Sequence, residues 1–142
     1  MSIYSDKIQD MLIGNSEIAI RQLESDVSAG NLEATYLLGK VYYDGIYCPP
    51  NASKSIELWE KGARSNNIDC LRSLGDCYFF GFGYDENNEK AMATYNEVLR
   101  KNPNDHQALC QIGRMHGHGW GVPQNIPYSI TVLEDAWRKG SG

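Results

Sequence analysis

Apolar residues fall at i, i+3 and i+7 in four stretches of the chain: Ile20, Leu23, Val27; Ile56, Trp59, Ala63; Met92, Tyr95, Leu99; and Ile130, Leu133, Trp137. That spacing places three side chains on one stripe of an α-helix. A second pattern, at i, i+4, i+7 and i+8, is set by Ala34, Leu38, Val41 and Tyr42. The two patterns alternate along the chain. Together they predict eight helices, near 3–13, 16–29, 33–45, 51–65, 69–81, 88–101, 106–117 and 126–139.

The alternation is a repeat. Leu38-Gly39-x-x-Tyr42-x-x-Gly45 returns as Leu74-Gly75-x-x-Tyr78-x-x-Gly81 and as Ile112-Gly113-x-x-His116-x-x-Gly119, at offsets of 36 and 38. Gly45, Gly81 and Gly119 stand where a helix ends with a left-handed residue. Asn51, Asn87 and Asn125 follow at N-cap positions, where a side-chain oxygen accepts an orphan backbone N–H. Gly39, Gly75 and Gly113 lie inside helices, where each costs about 1 kcal/mol against Ala, and the expected reason is close approach of a neighbouring helix. The longer second offset falls in Lys101-Asn102-Pro103-Asn104-Asp105, a turn in which Asn-Pro ends one helix and Asp105 caps the next. The trio Ile20, Leu23, Val27 precedes the clear copies by the same offset of 36 and marks a degenerate first helix pair.

Ala-x3-Leu-Gly-x2-Tyr-x2-Gly, a short glycine-containing loop, an Asp/Asn cap, then Lys-Ala/Ser and a following aromatic, resembles the Sel-one-like repeat, a relative of the tetratricopeptide repeat. The resemblance covers residues 31–140 in three copies and 3–30 weakly. It departs from the pattern at His116 in place of Tyr, at Cys70 in place of Ala, and in the loop Ile46-Tyr47-Cys48-Pro49-Pro50, which lacks a second glycine. The resemblance implies an all-α, right-handed superhelix of about four antiparallel helix pairs, used for protein binding as an adaptor or scaffold without catalysis. The expected organisation is one repeat domain over 1–142, with the degenerate pair at 1–30 and repeats at 31–66, 67–102 and 103–142. Independently, a stack of helix pairs exposes an extended concave surface, and such surfaces recognise other chains.

Composition narrows the partner. The 142 residues carry 18 acidic and 13 basic side chains, a net charge of −5, with no clustered basic surface of the kind that holds phosphate backbones. Nucleic acid is not an expected ligand. Residues 1–48 hold seven acidic and three basic side chains, so a basic partner would favour this part. No apolar run approaches a membrane span and the start lacks a leader pattern, which points to a soluble, cytoplasmic protein. Four cysteines are too few for a disulfide scaffold, and Cys70 and Cys77 sit two helical turns apart, so free thiols are expected.

Chemistry beyond packing is sparse. Gly117-His118-Gly119-Trp120-Gly121 looks like a phosphate loop, but Gly81-Phe82-Gly83 shows it to be the turn of the repeat. Cys110, His116 and His118 carry zinc-type donors without a zinc spacing, and His116 occupies the Tyr42/Tyr78 position, expected to be core. His106 is expected in a solvated first turn. Asn51-Ala52-Ser53 reads as an N-cap rather than a glycosylation site. Neither catalytic residues, nor a cofactor, nor a metal is expected.

The partner-binding candidates lie off the apolar stripe of the first helices: Tyr36, Lys40, Tyr43 and Asp44; Arg72, Asp76, Phe79 and Phe80; Arg114 and His118. Aromatic side chains beside Arg and Asp make binding hot spots, although Phe79 and Phe80 are equally suited to pack on a neighbouring helix. Trp120, with Phe82 and Tyr84, extends the set along the loop rim. Replacing Tyr43, Phe79 and Arg114 together is expected to abolish binding and leave the helices intact. The last helix carries Ile130, Leu133 and Trp137 with no helix after it: Trp137 shields the end, the chain is cut short there, or the edge meets a partner or a second copy. The function expected is protein or peptide binding. The alternative is a small acidic immunity or inhibitor protein that masks a basic toxin, and a metal- or thiol-dependent enzyme comes last.

Overall fold

Side chains that accept orphan N–H groups mark the helix starts in the computed structural model, which describes residues 2–141. Met1 and Gly142, the ends of the expected domain, lie outside the described residues. Asn51, Asn87 and Asn125 accept from the backbone N–H of Lys54, Lys90 and Tyr128 at 3.1, 2.9 and 3.1 Å. Their own N–H groups donate back to the carbonyls of Tyr42, Tyr78 and His116 at 3.0, 2.8 and 2.8 Å, closing each loop onto the helix before it. Asp105 caps as expected, accepting from Ala108 at 3.0 Å. Gly45, Gly81 and Gly119 end their helices at φ 65°, 71° and 72°, a region that a side chain strains to enter.

Eight helices and no strand are present among the described residues: α1 Ile3–Gly14, α2 Ser16–Ser28, α3 Leu32–Asp44, α4 Ala52–Arg64, α5 Ile68–Phe80, α6 Asn88–Lys101, α7 His106–His118 and α8 Ile126–Ser141. They agree with the periodicity to within one or two residues at each end. The chain divides into two compact units, residues 1–70 and 71–142.

In the first unit the core is built from Ile8 and Leu12 of α1, Ala19, Leu23 and Val27 of α2, and Ala34, Leu38, Val41 and Tyr42 of α3. Tyr4 ties α1 to α2 by donating its hydroxyl to Asp26 at 2.5 Å. Trp59 of α4 is 3% exposed. A Cβ at Gly39 would clash with the indole ring of Trp59, 2.7 Å from its Cε2, so the interior glycine is there for close approach. The Trp59 Nε1–H donates to the carbonyl of Tyr36 at 3.1 Å, and the Ser55 hydroxyl donates to the carbonyl of Gly39 at 2.8 Å.

In the second unit the same devices recur with different side chains. A Cβ at Gly75 would meet the Tyr95 ring at 2.7 Å, and one at Gly113 would meet Leu133 at 2.7 Å. Ser129 donates to the carbonyl of Gly113 at 2.6 Å. The core comprises Leu74 and Cys77; Ala91, Met92, Tyr95 and Val98; Ala108, Leu109, Ile112 and Met115; and Val132 and Ala136.

In α4 and α8 the buried stripe is rotated from the expected one, whereas Leu23 and Val27 of α2 and Met92 and Tyr95 of α6 are buried as expected. Ser55, Trp59 and Gly62 are buried in α4, whereas Ile56 and Ala63 are half-buried. Serine and glycine do not register as apolar in a periodicity count, yet they are the residues that let two backbones meet. Gly62, for example, lies against the Cys70 sulfur. In α8 the difference is larger. Ser129, Val132 and Ala136 are buried, Leu133 is half-buried, and Ile130 and Trp137 are 52% and 72% exposed. Trp137 therefore does not shield this edge.

Candidate functional site

Three first helices carry one face at i, i+4 and i+8: Tyr36, Lys40 and Asp44 on α3; Arg72, Asp76 and Phe80 on α5; Cys110, Arg114 and His118 on α7. Capped at both ends and packed through their glycine side, these helices hold that face rigidly. What it presents differs between the units.

In the first unit a cavity of about 440 Å³ opens between α1 and α3. Tyr36, Lys40 and Asp44 line it, with Ile8, Gln9 and Leu12 of α1, Glu33, Leu37 and Val41 of α3, Tyr47 of the following loop and Asp69 at the start of α5. Lys40 and Asp44 are exposed. Gln9 donates to the Tyr47 hydroxyl at 3.2 Å, and Glu33 accepts from the Ser2 hydroxyl. Tyr43 is not among the lining residues. It is half-buried with its ring 5.6 Å from that of Trp59 at 48°, which makes it a packing residue.

In the second unit much of the expected site is already engaged. Arg72 donates to Asp105 through Nε at 3.1 Å and Nη2 at 2.9 Å, with only 13% and 5% of the two side chains exposed. Burial pushes the Asp105 carboxyl up, but the Arg72 hydrogen bonds, the Ala108 N–H and the charges of Arg72 and His106 outweigh it and hold the group below the usual carboxylate range. Asp76 accepts the Tyr95 hydroxyl at 2.5 Å. Burial raises its carboxyl above the usual range, against the lowering by Tyr95 and Arg72 and with the added push of Asp105. Arg72 and Asp76 are thus both engaged inside the unit while lining its cavity.

The aromatic residues form one chain of contacts. Phe80 meets Phe79 edge-on at 4.9 Å, Phe79 meets Trp120 at 5.4 Å, and Trp120 stacks on His118 at 4.2 Å and 15°. Phe80 is 60% exposed, Phe79 and Trp120 are half-buried, and His118 is exposed. Beside them a cavity of about 360 Å³ is lined by Phe80, His106, Gln107, Cys110, Gln111 and Arg114, as well as by Arg72 and Asp76. Arg114 is exposed and donates to the Gln111 side chain at 2.9 Å. His106 is exposed, as expected.

Two positions expected in the core are half-buried instead. Tyr78 stacks on Tyr84 at 4.3 Å and lies under the Lys90 ammonium at 5.6 Å, just as Lys54 lies over Tyr42 at 5.0 Å. In the third copy Tyr gives way to His116 and Lys to Tyr128, and the two rings meet edge-on at 4.7 Å. His116 is therefore a packing residue. Among the described residues no three His, Cys, Asp or Glu side chains are grouped to hold a metal. Burial pushes the Cys70 and Cys77 thiols up to about 12, aided by Asp69 and Asp76 respectively, so neither supplies a thiolate.

The motif copies that position these faces are matched by the family model for the Sel1 repeat at residues 32–67, 68–93 and 106–130, more than half of the chain. The chain belongs to the Sel1 repeat family. Its relatives by sequence include an F-box protein of Arabidopsis thaliana, 35% identical over 122 residues that make up 85% of this chain and 31% of that protein. They also include the ERAD-associated E3 ubiquitin-protein ligase component HRD3B of the same plant, 30% identical over 56% of this chain and 13% of that protein. The chain thus spans a third or less of either relative. Among solved structures, a Sel1 repeat protein from Oxalobacter formigenes superposes with a TM-score of 0.80 at 21% identity, covering 94% of this chain and 56% of that one. A protective antigen of uropathogenic Escherichia coli gives 0.74 at 22% identity, over 86% of this chain and 26% of that one. The fold is the all-α Sel1 repeat fold.

Sequence reasoning missed the α1 wall of the first cavity, Ile8, Gln9 and Leu12, because the degenerate pair has no aligned copy to compare. It also missed Tyr47. The signal was there: the Tyr47 loop is the one that departs from the Sel1 pattern by lacking a second glycine.

Proposed function

We propose that this Sel1 repeat chain is a non-enzymatic interaction module, an adaptor or scaffold that holds a protein or peptide on the exposed faces of its first helices and on the loop rim at Trp120. One observation carries the reading: each unit sets a cavity beside side chains that packing has not consumed, Lys40 and Asp44 in the first, Phe80 and Arg114 in the second. Rigid helices with exposed charged and aromatic groups next to a concavity suit recognition of another chain. The name of one relative, a ubiquitin-ligase component, is that of a protein working within an assembly and supports an adaptor role. Protonated buried thiols argue against thiol catalysis, and four free cysteines suit a reducing cytosol. No helix among the described residues is long and apolar enough to cross a membrane.

The test is capture of partners from a native lysate by the wild-type chain and by a Lys40→Ala/Phe80→Ala/Arg114→Ala variant. This variant replaces the Tyr43/Phe79/Arg114 combination, because Tyr43 packs on Trp59. Partners retained by the wild type are expected to be lost while circular dichroism stays unchanged. Identical retention by both proteins removes the site assignment.

The α8 face of Ile130, Leu133 and Trp137, flanked by Glu134 and Arg138 around a cavity of about 550 Å³, is assigned in this reading to a second copy of the chain. Exposed apolar surface with one acid and one base beside it is self-complementary. A mass that stays monomeric at high concentration removes this contact. The second reading, an acidic inhibitor of a basic protein, is favoured by the net charge of −5 and is distinguished by an association rate that falls steeply with salt.

A further inference from the structure

We infer that the first unit's cavity is a subsite for an aliphatic side chain flanked by lysine or arginine, presented by a peptide segment of the partner. The inference rests on the interaction-module reading and names the chemistry that one of its sites takes.

The cavity, at about 440 Å³, falls in the ordinary range for ligand sites and has room for a few peptide side chains. Its surface divides into two kinds. Ile8, Leu12 and Val41 are 1%, 6% and 6% exposed and anchored in the core, so they form an apolar base that cannot retreat from a ligand. Around them stand the carboxylates of Glu33 and Asp44 against the single ammonium of Lys40. Two acids to one base leave this rim negative, in the part of the chain where acidic residues outnumber basic ones seven to three.

An apolar side chain on the base gains the burial energy, and a cation beside it meets the carboxylates. An acidic ligand finds only Lys40, and a purely apolar one leaves the charged rim poorly matched. Charge of this kind selects the partner and raises the rate of encounter more than it raises affinity. The second unit's cavity does not share this chemistry. There Arg72 and Asp105 neutralise each other, and Phe80 and Arg114 remain. The two cavities therefore accept different residues of a partner.

The experiment uses the full 142-residue chain, labelled with ¹⁵N, and two synthetic peptides of equal length with blocked ends, Lys-Leu-Leu-Arg and Glu-Leu-Leu-Glu. The cationic peptide is expected to shift the amide signals of α1, α3 and the Tyr47 loop, with an affinity that falls as salt rises, and the acidic peptide is expected to leave them in place. Asp44→Asn weakens the cationic peptide by about two- to fivefold, the scale of one exposed charge pair, and Lys40→Gln strengthens it by a similar factor. Leu37→Asp abolishes binding. Should that half-buried substitution unfold the chain, the exposed Asp44 and Lys40 variants still decide. Equal binding of both peptides, shifts centred outside α1, α3 and the Tyr47 loop, or no binding of the cationic peptide overturns the inference. Partner capture that survives in a folded Leu37→Asp variant but is lost in the Phe80→Ala/Arg114→Ala variant shows that the module reading stands while the subsite falls.

Discussion

Lys40 in the first unit and Asp76 in the second occupy the same repeat position, 36 residues apart, and their roles are opposite. Lys40 is exposed beside a cavity, whereas Asp76 is half-buried and accepts the Tyr95 hydroxyl. The cause lies on the facing helix. Trp59 satisfies its one donor on a backbone carbonyl, that of Tyr36, and asks nothing of Lys40. Tyr95, at the equivalent place, carries a hydroxyl at the ring's far end and reaches Asp76. In the third copy the position is Leu133, which has no polar group, and Arg114 is again exposed. The polar handle of the second-helix residue decides whether the first-helix residue is engaged inside the unit or left exposed.

The largest effect that tests this contrast is expected from Asp105→Ala. It leaves Arg72 buried without its carboxylate and removes the α7 cap, at a cost of about 3–5 kcal/mol for a broken buried pair. Chemical denaturation reads the loss, and hydrogen exchange should find it concentrated in residues 71–142. Removing Lys40, the repeat counterpart of Asp76, should leave the first unit untouched.

Next comes Gly75→Ala, whose methyl group meets the Tyr95 ring at 2.7 Å. Overpacking of this kind costs about 1–3 kcal/mol, and displacing the ring also strains the Asp76 hydrogen bond. Tyr95→Phe is expected to fall in a similar range, about 1–3 kcal/mol, because a half-buried carboxylate loses its donor. If Tyr95→Phe proves neutral, the hydroxyl does not hold Asp76 in the structure.

The two acids give opposite pH dependences. Asp76 is raised in the folded state, so its contribution to stability is full below its unfolded pKa and fades as pH rises through its folded value. Asp105 is lowered, so its contribution is full above the ordinary carboxylate range and is lost as pH falls through its folded value. Denaturation curves across the acid range should show Asp76→Asn flattening the gain seen on mild acidification and Asp105→Asn flattening the loss at stronger acid. A wild-type profile unchanged by either substitution would sink the assignment of these two groups.

The smallest expected effect is that of Lys40→Ala, a stability change within about 0.5 kcal/mol, measured by thermal melting. A larger loss would mean that Lys40, like Asp76, is part of the packing.

Much of the fold was legible in the sequence because caps, left-handed glycines and helical spacing act over one or two turns. Asn51, Asn87, Asn125 and Asp105 all cap the helices that follow them. The site was less legible. Arg72 on α5 and Asp105 at the cap of α7 lie 33 residues apart, and nothing in local spacing announces their pairing. Tyr43 reads as off-stripe on α3 and yet finds Trp59 beside it.

The sequence by itself determined the repeat, its eight helices, its family and the reason for its interior glycines, since each depends on residues close along the chain or on comparison of aligned copies. Only the tertiary structure decided which of the aligned polar and aromatic residues are consumed. That depends on what the facing helix offers: a ring nitrogen, a hydroxyl or a plain hydrocarbon. A pattern of positions records that a helix has a face, whereas the distance from that face to a particular donor or acceptor exists only once the helices have packed.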